Sequence, residues 1–171
     1  MSRGGFAPGA VALAILCATP TLAQQTPQAG HAISITSTNA VSLTGVKAPS
    51  EIWIDNLKKL PQITLTISQQ TDRGPASATF TGALLWTVID NAGWINGAEK
   101  NAYLRHSILV TGKDGFAAAL SEGEIDPKLE GKQVILAYSE NGKPLDAPRL
   151  VVPGDAHAAR GVHDVTAIVV R

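Results

Sequence analysis

Apolar and hydroxyl residues alternate without a break over Ile63-Thr64-Leu65-Thr66-Ile67-Ser68, which predicts a strand with one buried and one polar face. Ile33-Ser34-Ile35 and Val41-Ser42-Leu43 alternate on a shorter scale and predict two short strands. Further strands are predicted at Ser107–Thr111, Gly115–Ala119, Gln133–Tyr138, Arg149–Val152 and Val162–Val170, with turns at Lys113-Asp114-Gly115 and Asn141-Gly142. The period lengthens in two places. Trp53, Leu57 and Leu60 share one face of a helix predicted over 51–59, capped by Ser50 and stopped by Pro61. Leu84, Leu85, Val88, Ile89 and Ala92 do the same over 83–92, with Gly93 placed to end it. Ser121 and Glu124 form a capping box over a single turn limited by Pro127. Gln69–Ala76 is polar, contains Arg73-Gly74-Pro75, and predicts a loop. Strands dominate, so the fold class expected is α+β: mixed β-sheets with a few short helices in one domain over 33–171.

The N-terminal pattern is of another kind. Arg3 is followed by the apolar run Val11–Leu16 and by Thr21-Leu22-Ala23, the layout of a secretory signal peptide over residues 1–23. The run is far short of the roughly 20 residues a membrane span needs. Leu16 before Cys17 disfavours lipidation, and Arg3 alone makes no twin-arginine signal. Residues 24–32, polar with Pro27 and Gly30, read as a flexible start. The expectation is a periplasmic protein exported unfolded, whose ligands are acquired outside the cytoplasm. Cys17, the chain's only cysteine, would leave with the leader.

Composition narrows the classes of function. Fourteen Lys and Arg balance fourteen Asp and Glu, so there is no basic stripe for nucleic acid and no charge excess for an anionic membrane surface. None of the four histidines has HExxH or HxH spacing, and Asp155 with His157 alone makes a weak metal pair. No GxSxG elbow, GxGxxG turn or GxxxxGK[ST] loop is present. Nucleophilic and nucleotide chemistry therefore have no motif to rest on.

Four segments in order carry a family resemblance. They are Thr81-Gly82-Ala83-Leu84-Leu85-Trp86 with Asn91-Ala92-Gly93, then Val110–Phe116, then Leu136-Ala137-Tyr138 with Asn141–Leu145, then Pro148–Asp155 followed by Arg160. Together they resemble the sulfite-oxidase-type molybdopterin-binding domain over about residues 43–170. The resemblance implies that domain's fold and a pterin-sized cleft. The family's enzymes hold molybdenum through a pterin dithiolene and one cysteine at the end of the strand matching Ile63–Ser68. Here the matching position is Ile67, Ser68 or Gln69, none of which supplies the soft anionic ligand of a thiolate. The family's exported enzymes also cross the membrane folded, by the twin-arginine route that this leader lacks.

Both departures imply a scaffold that binds a reduced pterin without the molybdenum cofactor. Small exported proteins of this kind resemble periplasmic pterin-binding regulators, whose partner is a membrane-bound cyclase or phosphodiesterase of cyclic-di-GMP. The alternatives are a molybdopterin-dependent oxidoreductase subunit with an unusual ligand and an interaction module with an empty cleft. A pterin needs acceptors along its amino edge and a face to stack on. Asp114 is a candidate acceptor, also suited to a plain turn, and Phe116 and Trp86 are candidate stacking faces. Arg160 and Arg149 match the family's basic positions, with Arg160 the better placed. His157 shares its loop, and Gln69, Gln70 and Arg73 stand where the cysteine region would be. Trp53 and Trp94 are assigned to packing.

Overall fold

A computed structural model of the chain describes residues 39–171. The expected leader, the flexible start and the strand at Ile33–Ile35 lie outside the described residues. Among the described residues nine strands form two sheets. In the five-stranded sheet the order is β2 (Ser50–Ile52), β1 (Val41–Thr44), β9 (Val165–Val170), β5 (Ser107–Gly112), β6 (Ala117–Ser121). In the four-stranded sheet it is β3 (Gln62–Thr71), β4 (Gly74–Leu84), β7 (Ile135–Glu140), β8 (Lys143–Val151). All pairings are antiparallel except β1 with β9, which run parallel and join the two ends of the described chain.

The main core is shared by both sheets. Val41, Leu43, Ile108, Val110, Leu120 and Ile168 contribute from the first, Ala83, Leu136 and Leu150 from the second, and Leu57, Leu85, Ile89 and Ile125 from the helices. Ile67, Phe80, Ile135, Ala137 and Val151 form a smaller cluster on the other face of the four-stranded sheet. The alternation Ile63-Thr64-Leu65-Thr66-Ile67 thus does what it predicted. Its apolar members meet that cluster, and its hydroxyls pair across the rungs: Thr64 with Thr81 at 3.1 Å, Thr66 with Thr79 at 3.0 Å, Ser68 with Ser77 at 3.2 Å.

Helix α2 (Leu85–Ala92) starts two residues later than predicted, because Ala83 and Leu84 end β4 and Leu84 packs against the smaller cluster; Gly93 ends the helix at φ 80°, a conformation that favours glycine. The capping box at α3 (Glu122–Ile125) is formed, with Glu124 N donating to Ser121 Oγ at 3.3 Å and Ser121 N to Glu124 Oε2 at 3.1 Å.

Two expectations are corrected. The helix predicted over 51–59 is only α1 (Ile54–Leu57), because Ser50–Ile52 pairs with β1 and buries Ile52. The N-cap is three residues further on, at Trp53, where Asn56 Oδ1 accepts from Trp53 N at 2.9 Å. A tertiary strand pairing outweighed a local cap signal. The loop predicted over Gln69–Ala76 is also absent. β3 and β4 continue through it to a tight turn at Asp72-Arg73, held by Thr71 Oγ1 donating to Gly74 O at 2.8 Å. Polarity there marks a solvated hairpin rather than irregular chain.

Candidate functional site

The end of β3 is where the resemblance places a metal ligand. Ile67 is 9% exposed and belongs to the smaller apolar cluster. Ser68 donates to Ser77 Oγ, and Gln69 Nε2 donates to Val152 O at 3.2 Å. Gln70 N donates to Ala156 O at 3.0 Å, and Gln70 bridges His157 in parallel. Ser68, Gln69, Gln70, Pro75, Ser77 and Ala156 line an open cleft of about 380 Å³. The structure thus brings Gln69 and Gln70 to one cleft, with exposed His157 beside Ala156 and exposed Arg73 at the hairpin tip. No sulfur stands among these residues, and among the described residues no group of His, Cys, Asp or Glu is placed to hold a metal. The molybdenum cofactor of the resembled enzymes does not fit this donor set.

Arg160 anchors the neighbouring loop. Its Nε donates to Asp155 Oδ2 at 2.8 Å and its Nη2 to Asp155 Oδ1 at 2.6 Å, a bidentate fork. Nη1 reaches Glu124 Oε1 at 3.0 Å, an oxygen that Lys132 Nζ also approaches at 3.1 Å. The Asp155 carboxyl is held below its usual value chiefly by the hydrogen bonds from Arg160. Burial pushes Glu124 up, but Arg160, the Ser121 amide and Lys132 outweigh it and hold it low. Arg160 itself is raised, first by Asp155. Its guanidinium is therefore committed to clamping the Gly154–Gly161 loop onto α3. Arg149 is likewise engaged, with Nη1 donating to Glu140 at 3.0 Å and its guanidinium 5.0 Å over the Phe80 ring.

Asp114 and Phe116 sit apart, in the turn between β5 and β6. Asp114 Oδ1 accepts from Phe116 N at 2.9 Å, which stabilises the turn, and Phe116 is 46% exposed.

Trp86, on α2, lines a different cleft of about 450 Å³, together with Asp90, Trp94, Tyr103, Glu122 and Asp126. Trp94 follows the glycine that ends α2 and is nearly buried. Its ring lies 5.2 Å from that of Trp86 and stacks on His106 at 5.8 Å with 2° between planes. His106 Nδ1 and Glu122 Oε2 are 2.5 Å apart. Glu122 is 3% exposed, and burial first of all raises its pKa, against the opposing hydrogen bond and charge of His106. Asp126 is 5% exposed, and its Oδ1 accepts from Lys128 N at 2.8 Å. The indole Nε1–H of Trp94 has no hydrogen-bond partner among the described residues.

From the sequence Trp94 is a packing residue, and His106, Glu122 and Asp126 carry no motif that marks them. The signal was the strand period. Ala118 and Leu120 face inward along β6 and Glu122 is next in step; Ile108 and Val110 face inward along β5 and His106 precedes them in step. The rung beyond Ser107–Ser121 sets His106 opposite Glu122, where Glu122 N donates to His106 O at 3.1 Å. A carboxylate at an inward position calls for a partner.

No protein-family profile matches the chain, and no characterised protein matches it by sequence. Solved structures do. The crystal structure of the sulfane dehydrogenase SoxCD from Paracoccus pantotrophus superposes with a TM-score of 0.61 at 18% identity, covering 78% of this chain. This chain spans only 39% of that one. The likeness establishes the architecture: an α+β, sulfite-oxidase-like domain, as the four sequence segments implied.

Proposed function

We propose that this protein is a non-catalytic binding domain for a pterin-type ligand. The observation that carries the reading is the end of β3. The fold is sulfite-oxidase-like, yet Ile67 is packed into an apolar cluster, Ser68 is bonded to Ser77, and Gln69 holds a backbone carbonyl. The scaffold is retained and the soft metal ligand is not, while clefts of ligand size remain. By the same resemblance the ligand is a reduced pterin acquired in the periplasm. The bound protein then signals to the periplasmic domain of a membrane-bound enzyme of cyclic-di-GMP turnover; the support for this last step is the resemblance to periplasmic regulators.

The test is a titration of protein, expressed in a host that makes molybdenum cofactor, with a tetrahydropterin under anaerobic conditions, alongside elemental analysis. Saturable one-to-one binding without molybdenum is expected. At 100 times its dissociation constant the ligand should stabilise the fold by about 2.7 kcal/mol. Stoichiometric molybdenum in the recovered protein would overturn the reading.

A further inference from the structure

Of the two clefts described above, the one at the end of β3 offers amides, hydroxyls and small apolar groups, and neither a carboxylate nor an aromatic ring lines it. The cleft between α2, the turn at Ala102–Arg105 and α3 is different in kind. Trp86 and Tyr103 supply flat faces, and Glu122 and Asp126 supply carboxylates nearly sealed from bulk water. Such groups are costly to bury without partners. His106 takes one lone pair of Glu122 Oε2 and the Lys128 amide takes one of Asp126 Oδ1; each carboxylate therefore keeps its second oxygen whole and a further lone pair on the engaged one, enough for two donors. Trp94 presents the opposite need: the residue is 6% exposed, and its N–H lacks an acceptor among the described residues.

A ligand that satisfies this wall must be flat, carry adjacent N–H donors, and place a carbonyl next to them. We infer that the Trp86–Trp94 cleft is the ring-recognition site. In it a buried carboxylate, Asp126 or Glu122, takes the N3–H and 2-amino donors of a 2-amino-4-oxo-pteridine, and the Trp94 indole N–H donates to its 4-oxo group. The inference rests on the pterin reading and adds the site and the edge of the ring that is read. Paired donors on one edge match a carboxylate as a guanidinium does. The ring face packs against Trp86, where aromatic stacking adds to burial. A cleft of about 450 Å³ falls within the usual range for small-molecule sites.

The experiment changes the protein and the ligand separately. Trp94→Phe keeps an aromatic ring and removes only the donor; it should weaken tetrahydropterin binding roughly tenfold. At least one of Asp126→Asn and Glu122→Gln should weaken it as much, and neither doing so would overturn the site, whereas Gln69→Ala and Gln70→Ala, in the other cleft, should leave it within about twofold. On the ligand side, a pteridine-2,4-dione lacks the 2-amino donor and should bind the unaltered protein roughly tenfold more weakly, a result independent of any variant's folding. If the unaltered protein binds no tetrahydropterin, the function and the site both fall. If it binds, but Trp94→Phe and the dione are without effect or Gln69→Ala abolishes binding, this site is wrong and the function stands.

Discussion

Arg160 shows how a residue matched to a ligand position in a family can be committed elsewhere. Its bidentate hold on Asp155 and its bond to Glu124 tie a loop to a helix terminus. Removing it takes the fork from Asp155 and leaves Glu124 to Lys132 and the Ser121 amide, and a hydrogen bond to a charged group contributes about 1.5–3 kcal/mol. Arg160→Ala should therefore lower stability by about that amount at neutral pH, measured as a shift in urea midpoint. Arg160→Lys should recover only part of it, because an ammonium lacks the fork. The pH dependence has a definite sign. Glu124 and Asp155 have folded pKa values below their ordinary values of 4.5 and 3.8. Their contribution is present above those ordinary values and is lost as pH falls through the depressed folded ones. Arg160→Ala should accordingly flatten the acid limb of the stability profile. Glu122 works in the opposite sense: burial raises its folded pKa above 4.5. Its contribution is full below the unfolded value and declines as pH rises through the folded one.

At the scale of elements, the parts of the fold most readable from sequence were those whose side-chain period is set by one buried face. β3, α2 and the α3 cap follow from residues a few positions apart, and the structure has all three. What escaped depended on partners distant in sequence. Ser50–Ile52 became a strand because β1 offered an edge, and the polar Gln69–Ala76 stretch stayed extended because its two halves pair. The candidate site divides the same way. Trp86 was visible within a recognisable segment, but Glu122 and His106 acquire meaning only once β5 and β6 are in register. Gly82 tests this reasoning on one element. A Cβ there would stand 2.3 Å from Leu136 O and 2.6 Å from Ala137 Cα, both backbone atoms of β7. β4 and β7 meet at a register shift at this point, so neither strand can simply slide away. Gly82→Ala should cost about 1–3 kcal/mol as overpacking, or a fall in melting temperature of roughly 2–4 °C per kcal/mol. An unchanged melting temperature would mean that the two strands are not this close.

For the molecule as a whole, the critical element is β9. It lies between β1, its parallel partner, and β5, so the five-stranded sheet cannot close until β9 is in place. Ile168 sits on the rung Leu43–Ile168–Val110, and all three are at most 1% exposed. Truncating a buried isoleucine to alanine costs about 2–5 kcal/mol, a large share of the roughly 5–15 kcal/mol that holds a domain together. Ile168→Val should cost only about 0.5–1.5 kcal/mol. Because the lost methyl groups face both sheet neighbours and the shared core, the loss should lower the urea midpoint for the molecule as one unit rather than loosen the C-terminus alone. Near- and far-ultraviolet circular dichroism of Ile168→Ala should therefore give one superimposable transition at a lower midpoint. Deleting residues 165–171 removes the strand that joins β1 to β5 and should abolish cooperative unfolding. A sharp transition in that deletion would show that the four-stranded sheet and its apolar cluster hold together without the other sheet. The site between α2 and α3 would then lose its claim to be rigidly built, since Glu122 and His106 are positioned by the β5–β6 register of the sheet that β9 completes.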